Sequence, residues 1–216
     1  MAEIHRTTLK PTKLELLADW LPGRPWYGGG PDIPQLAKAG GFRLDDPEGE
    51  VGIEFMVVTV ADRAYLAPMT YRGAPLEGAE DALIGTSEHG VLGTRWLYDG
   101  CHDPVFAAEL AALFEGRVRP QAQSISDQED REVHVAYEGG PLGEARIEKV
   151  TDTGDATEMH LTGGAVLRLA RVLEPGTEAG TSKTAGRAAG QVTAVWHQSD
   201  ETPSARTAFV TLHVGG

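Results

Sequence analysis

Hydrophobic positions near the start of the chain recur at helical spacing. Apolar side chains between Leu14 and Leu21 fall every three or four residues, with polar residues between them. Thr12 is a typical N-cap, and Pro22 cannot continue a helix. The pattern therefore predicts a first helix between these two residues.

A second helix is predicted between Asp103 and Gly116. Asp103 can cap it, and Pro104 suits its first position because proline lacks the N–H that this position leaves unbonded. Apolar side chains from Phe106 to Phe114 share one face, and Gly116 ends the pattern.

Elsewhere the pattern favours strands. The stretches Val51–Val60 and Ala64–Tyr71 flank the polar pair Asp62 and Arg63, which predicts a hairpin with a tight turn. A second turn is predicted at residues 46–49, where Asp, Pro, Glu and Gly follow one another.

The carboxy-terminal half predicts an antiparallel meander over residues 132–214. Its strands are expected at 132–137, 145–150, 157–161, 166–173, 191–197 and 206–214. Residues 174–190 contain Gly, Ala, Thr and Ser without periodicity and predict a mobile loop. Strands with few helices favour an α+β fold, in which a curved antiparallel β-sheet packs against helices in a single domain of residues 1–216.

Charge and composition narrow the classes of partner. The 32 acidic and 19 basic residues give a net charge of −13, which opposes binding to nucleic acid and to anionic membranes. Cys101 is the single cysteine, so no internal disulfide is expected, and no signal-peptide pattern or membrane-length apolar run is present. These features favour a cytoplasmic protein. The seven histidines lack metal-ligand spacing, so we expect no metal and no cofactor.

Three segments resemble the N-terminal cap domain of actinobacterial maltokinases. The first is the aromatic corner at 19–29, where Trp-Leu-Pro is followed by Arg, Trp and Tyr. The second, at 57–76, carries a Tyr, a Pro, a Tyr-Arg pair and Pro-Leu. The third joins 82–85 to 97–106, where Tyr-Asp and Asp-Pro precede the second helix. The resemblance is best over residues 12–116.

The resemblance implies a cystatin-like arrangement. In full-length maltokinases this cap is attached to a kinase-like core that uses ATP to make maltose 1-phosphate for α-glucan synthesis. We therefore expect a cap-like protein without the kinase core. Its expected role is that of a binding or regulatory partner in maltose, trehalose and glycogen-type metabolism.

No kinase machinery is recognisable in the sequence. The chain contains no Asn, and its triple glycine at 28–30 is followed by Pro31 rather than by a helix start. Asp99, Cys101 and His102 lie close together, but a turn and a helix cap account for these residue types better than catalysis does. We assign no catalytic residue.

The aromatic corner is the best candidate for a contact surface. Trp26 and Tyr27 lie in a loop rich in Gly and Pro, and Arg24 and Arg72 are candidate polar anchors. The expected partner is a protein of α-glucan metabolism or a carbohydrate ligand, and association into a homo-oligomer remains open.

Two alternatives remain. The chain could be a small α-glucan-active enzyme, with a branching or transfer activity, that uses two carboxylates among Asp99, Asp103, Glu80 and Asp81. It could also be a small-molecule binding module, in which the curved sheet and a helix enclose an apolar pocket.

Overall fold

The computed structural model describes residues 9–123, 128–175, 188–198 and 204–215. Two short helices accompany a predominantly antiparallel sheet. The helices are α1 (Lys13–Trp20) and α2 (Pro104–Phe114). The strands are β1 (Leu9–Lys10), β2 (Ala37–Asp45), β3 (Gly52–Val60), β4 (Arg63–Arg72), β5 (Leu83–His89), β6 (Gly93–Asp99), β7 (Gln121–Ala122), β8 (His134–Tyr137), β9 (Ile147–Asp152), β10 (Ala156–Leu161), β11 (Val166–Ala170), β12 (Val172–Leu173), β13 (Gly190–Trp196) and β14 (Ala205–His213).

Strand order differs from sequence order. Across the sheet it runs β1-β5-β6-β4-β3-β2-β13-β14-β11-β10-β9, with β12 beside β4, β7 beside β2 and β8 beside β13. The strands at the two ends do not pair with each other, so the sheet is open. The predicted combination of an antiparallel sheet with helices is confirmed.

Helix α1 begins where its sequence predicts. The Thr12 hydroxyl accepts a hydrogen bond from the backbone N–H of Glu15, and the Glu15 carboxylate accepts one from the backbone N–H of Thr12. This reciprocal pair is a capping box, which satisfies two donors that the first turn leaves free. After Trp20 the chain continues into a short 3₁₀ turn, Leu21–Gly23, that contains Pro22.

Helix α2 is also confirmed. The Asp103 carboxylate accepts a hydrogen bond from the backbone N–H of Val105 (2.9 Å), and Pro104 occupies the first helical position. Gly116, with φ of +69°, follows the helix in the left-handed conformation that glycine tolerates best.

The predicted hairpin is formed by β3 and β4. Val60 pairs with Arg63, so the turn consists of Ala61 and Asp62, one residue before the predicted pair Asp62 and Arg63. The predicted turn before β3 is present as well. There the Asp46 carboxylate accepts hydrogen bonds from the backbone N–H groups of Glu48, Glu50 and Val51 at 2.9–3.0 Å.

The carboxy-terminal strands are antiparallel, but a simple meander was the wrong prediction. β9, β10 and β11 follow one another across the sheet, and β13 pairs with β14, but the two groups do not join in sequence order. β14 lies next to β11, and β13 lies beyond it. The single strand predicted at 166–173 is interrupted at Arg171, where the chain leaves β11 and forms β12 beside β4. In the predicted loop, residues 176–187 lie outside the described residues.

Each face of the central sheet is covered by a separate apolar cluster. On β3, Phe55 faces a cluster that contains α2 and the carboxy-terminal strands. The next residue, Met56, faces a cluster that contains α1 and the aromatic corner. Successive strand residues point to opposite faces, so β3 contributes to both clusters.

Candidate functional site

The aromatic corner packs onto the α1 face of the sheet. The ring centroids of Trp20 and Trp26 are 5.8 Å apart, and Trp26 lies 6.2 Å from Tyr65 on β4. Trp26 is only 3% exposed and belongs to the core. A contact surface at this corner would therefore have to use neighbouring side chains rather than the Trp26 ring.

Arg24 and Tyr27 remain partly accessible beside it. The Arg24 guanidinium carbon lies 4.8 Å from the centroid of the Trp20 ring, within the range of a cation–π contact. Tyr27 lies 5.2 Å from Tyr65. Burial, with a smaller contribution from Tyr65, raises the pKa of the Tyr27 phenol. Both side chains are half-buried at the edge of the aromatic corner.

The structure places Arg72 away from these residues. It lies seven positions along β4 from Tyr65, the residue against which Trp26 and Tyr27 pack. Its guanidinium makes two hydrogen bonds with Asp103, from Nε to Oδ2 at 2.7 Å and from Nη2 to Oδ1 at 2.6 Å. This bidentate pair raises the pKa of Arg72 and joins the end of β4 to the start of α2.

A second arginine–aspartate pair was not predicted from the sequence. Arg171 is fully buried, and its Nη2 donates to Asp99 Oδ2 at 2.5 Å. Its Nε donates to the Thr157 hydroxyl at 2.7 Å, and its guanidinium lies 4.9 Å from the Trp26 ring centroid. One side chain thus connects the carboxy-terminal strands to β6 and to the aromatic corner.

The Asp99–Arg171 pair lies where the strand pairing along one edge of β4 is interrupted. β6 pairs with β4 as far as Asp99, opposite Met69, and β12 resumes the pairing at Val172, opposite Tyr65. Between them the backbone N–H of Leu66 donates to the Arg171 carbonyl at 2.9 Å. The Asp99–Arg171 pair therefore joins two strands that lie one after the other along β4.

The sequence did contain a signal for Arg171. Leu167, Leu169 and Leu173 occupy the buried phase of the strand pattern, and Arg171 falls in the same phase. A charged residue in the buried phase predicts a buried partner, because an unpaired buried charge is costly. The sequence does not say which carboxylate provides it.

Cys101 and two of the four candidate carboxylates are held in contacts that stabilise the fold. Cys101 is fully buried, and burial is the main reason why the pKa of its thiol is raised, with Arg171 opposing and Asp99 adding to the shift. A thiol in this state is a poor nucleophile. Asp99 and Asp103 are each paired with an arginine, whereas Glu80 and Asp81 lie exposed in a 3₁₀ turn.

Within the described ranges, no group of three His, Cys, Asp or Glu side chains could hold a metal ion.

An open groove of about 480 Å³ lies between the end of α2 and the start of β8. Its lining includes the apolar Leu113, Val118 and Val135 and the charged Arg119 and Glu129. No helix of the described residues is long and apolar enough to cross a membrane.

Comparison with known families identifies one segment. Residues 20–103 match the sequence model of the maltokinase N-terminal cap domain, so the resemblance inferred from the sequence is confirmed over these residues. The match begins at Trp20 and ends at Asp103, the N-cap of α2. It associates this segment with maltokinase-related α-glucan metabolism. No curated protein matches the chain.

Proposed function

We propose that the chain acts as a non-catalytic cap in maltokinase-related α-glucan metabolism, where it binds a protein partner. The match over residues 20–103 carries this proposal. We further propose that the fold is cystatin-like and that the protein works in the cytoplasm.

The hydrogen bonds that Asp99 and Asp103 make within the fold support a non-catalytic role. Glycosyl transfer needs two carboxyl groups that can reach the sugar bond. Asp103 is occupied by Arg72 and by the helix cap, and Asp99 is occupied by Arg171. Both carboxylates serve the fold, which leaves the exposed Glu80 and Asp81 as the less constrained candidates.

We also propose that the chain forms one domain. The cluster on the α2 face contains residues from Ala39 to Leu212, so it draws on the matched segment and on the carboxy-terminal strands together. Arg171 adds a charged link between the same two parts. These contacts favour one cooperative unit over two independent ones.

The proposed contact surface consists of Arg24 and Tyr27 at the edge of the aromatic corner. A guanidinium and a phenol beside buried aromatic rings suit a protein interface, where Arg and Tyr are enriched. The test is calorimetric titration of the full chain with a maltokinase catalytic core from which that enzyme's own cap has been deleted. We expect saturable binding that Tyr27→Ala weakens at least about tenfold, as for an interface hot spot.

The exposed Arg119, whose side chain is 72% accessible, provides the control. Arg119→Ala should bind the core as the wild type does. Absence of binding to the kinase core would contradict the partner proposal. Product formation from maltooligosaccharides, or from maltose with ATP, by the pure chain would contradict the non-catalytic proposal. Loss of that product in Glu80→Gln or Asp81→Asn would assign it to this chain.

A further inference from the structure

One strand of the sheet has an open edge beside a groove. Among the described strands β8 pairs with β13 alone, so its other edge carries backbone groups without a strand partner. Val133, just before β8, and Val135 within it both line the open groove next to α2. Val135 is 36% exposed. A strand added to this edge would therefore both satisfy backbone groups and cover an apolar side chain.

The pairing with β13 determines which backbone groups lie on the open edge. The backbone N–H of Glu138 donates to the Ala189 carbonyl at 3.0 Å, so Glu138 is directed towards β13. In an antiparallel ladder this direction alternates from residue to residue, so Ala136 is directed towards β13 as well. The N–H and C=O groups of Val135 and Tyr137 consequently point away from β13, towards the open edge.

β8 lacks the features that protect another open edge of the sheet. β9 pairs with β10 alone among the described strands, but it carries Lys149 and an irregular register in which Glu148 is the extra residue. A lysine and a bulge both discourage pairing with a further strand. β8 has a regular register with β13 and contains neither lysine nor proline. Its edge therefore has no such protection.

We propose that this edge is a homodimer interface, in which β8 of a second copy of the chain pairs antiparallel to β8 about a two-fold axis at Ala136. In this register Val135 of each copy lies opposite Tyr137 of the other, so each outward N–H meets an outward C=O. Because β8 lies outside residues 20–103, the dimer does not depend on the proposed cap function.

The side chains are complementary in the same register. On the α2 side, the rings of Tyr137 and Phe114 lie 6.0 Å apart, and Val135 points to the same side, so the valine of one copy lies beside the tyrosine of the other. On the opposite side, the exposed His134 lies opposite Glu138 of the second copy, a carboxylate that can accept its hydrogen bond. The two residues after Glu138 are glycines, whose lack of side chains suits passage along the groove.

The neighbouring register is less favourable. An axis one residue earlier would place Glu132 opposite Glu138 of the second copy, and like charges directly opposite one another destabilise a sheet. It would also place Tyr137 opposite Val133, whose N–H already donates to the Asp130 carbonyl at 3.4 Å. The proposed axis avoids both conflicts, so charge and backbone pairing favour the same arrangement.

The first test is sedimentation equilibrium of the full chain over its soluble concentration range. We expect a reversible monomer–dimer equilibrium, which Val135→Lys should weaken at least about tenfold, because a lysine on an edge strand discourages pairing. Val91→Lys is the matched control, since it makes the same change at a position that is 65% exposed in the turn between β5 and β6. Thermal unfolding confirms that each variant is folded.

A second test locates the two-fold axis by disulfide formation. Ala136→Cys places two thiols across a non-hydrogen-bonded pair, whose Cα atoms lie about 4.5 Å apart, a separation that a disulfide spans. In His134→Cys the two thiols belong to positions about 13 Å apart along the strands. With oxidised glutathione as the electron acceptor, Ala136→Cys should form covalent dimers at least about tenfold faster than His134→Cys. The wild type, whose Cys101 is fully buried, should form none.

The outcomes distinguish the second copy from other occupants of the edge. A chain that stays monomeric at every concentration would overturn the proposal and leave a strand of a different protein as the occupant. A dimer that Val135→Lys and Val91→Lys weaken equally, or that neither weakens, would place the interface elsewhere. Disulfide formation by Ala136→Cys no faster than by His134→Cys would exclude the proposed axis.

Discussion

The two faces of the central sheet are covered by different parts of the chain. The α1 face is covered by hydrophobic residues between Leu14 and Leu97, and among the described hydrophobic residues Val172 is the single later one packed against it. The α2 face is covered by residues from Ala39 to Leu212. The segment that matches the maltokinase cap thus supplies most of one face, whereas the other face also needs the carboxy-terminal strands.

The buried ion pairs also distinguish two regions, the α1 face and the part built with the carboxy-terminal strands. The Asp99–Arg171 pair is enclosed and connects residues 72 positions apart, including a contact with the aromatic corner. The Glu54–Lys13 pair lies within the α1 region, and its lysine remains partly open to solvent. A buried pair is a poor source of net stability, but removal of one partner is costly, so the first pair makes the two regions depend on each other.

Removal of the charge that joins the two regions should have the largest effect. Arg171→Met leaves Asp99 buried without a cationic partner, and we expect a loss of about 3–5 kcal/mol in the free energy of unfolding. Arg168→Met, which removes ion pairs to the exposed Asp155 and to Glu158, should cost at most about 1 kcal/mol. Urea denaturation measures both. The double variant Asp99→Asn/Arg171→Met should recover part of the stability lost in Arg171→Met. Equal losses in Arg171→Met and Arg168→Met would contradict the role of Arg171 as the buried partner of Asp99.

Matched core substitutions test whether the two faces unfold together. Leu17 on α1 and Leu110 on α2 are both fully buried, one on each face. Leu17→Ala and Leu110→Ala should each cost about 3 kcal/mol through lost burial and the resulting cavity. In one cooperative domain, tryptophan fluorescence and far-UV circular dichroism should show the same single transition for both variants. Two separate transitions would contradict the single-domain proposal.

Acid titration should weaken the α1 region through Glu54. Although burial raises the pKa of Glu54, the charge and hydrogen bond of Lys13 hold its folded-state pKa below the ordinary value of 4.5, so its contribution to stability is present above that value. The contribution is lost as the pH falls through the lower, folded-state pKa. Glu54→Gln should therefore be less stable than wild type at pH 7, and the difference should shrink as the pH decreases below about 4.5.

Urea unfolding measured from pH 7 to pH 3 tests this expectation. Glu148→Gln, at an exposed position on β9, provides the comparison and should follow the wild-type curve. A stability difference between wild type and Glu54→Gln that stays constant over this pH range would exclude the Glu54 carboxylate as its source.

The capping box of α1 should give the smallest effect. Thr12→Ala removes the acceptor for the Glu15 backbone N–H and should cost about 1 kcal/mol. Glu15→Gln should cost less, because glutamine at this position still accepts from the Thr12 backbone N–H. Thermal unfolding distinguishes the two. A larger loss in Glu15→Gln than in Thr12→Ala would contradict the capping geometry.

Local elements could be predicted from the sequence because their determinants lie within a few residues. Caps, prolines and glycines marked both helices, and apolar stretches on either side of Asp62 and Arg63 marked the hairpin. β2 and β5 were missed, and so were the two-residue strands β1 and β7. β2 contains Gly40 and Gly41 and a register irregularity, and β5 contains Gly85 with a positive φ, so neither shows regular alternation.

The candidate site could be predicted only in part. The aromatic corner was recognisable because its residues are adjacent in sequence, but burial of Trp26 depends on Tyr65 and Arg171, which come from distant strands. Arg72 was grouped with the corner by residue type alone. Its partner is Asp103. β6 ends at Asp99, opposite Met69, and the 3₁₀ turn that follows places Asp103 within hydrogen-bonding distance of Arg72.

The sequence by itself determined where helices, turns and most strands begin and end, along with the resemblance of one segment to the maltokinase cap. These properties depend on hydrogen bonds and side-chain alternation over short distances along the chain. The tertiary structure alone decided the order of the strands, the interruption at Arg171 and the pairing of that residue with Asp99. Such contacts depend on burial and charge compensation between segments that are far apart in sequence. No local pattern specifies which of the core-facing strand positions will contact one another.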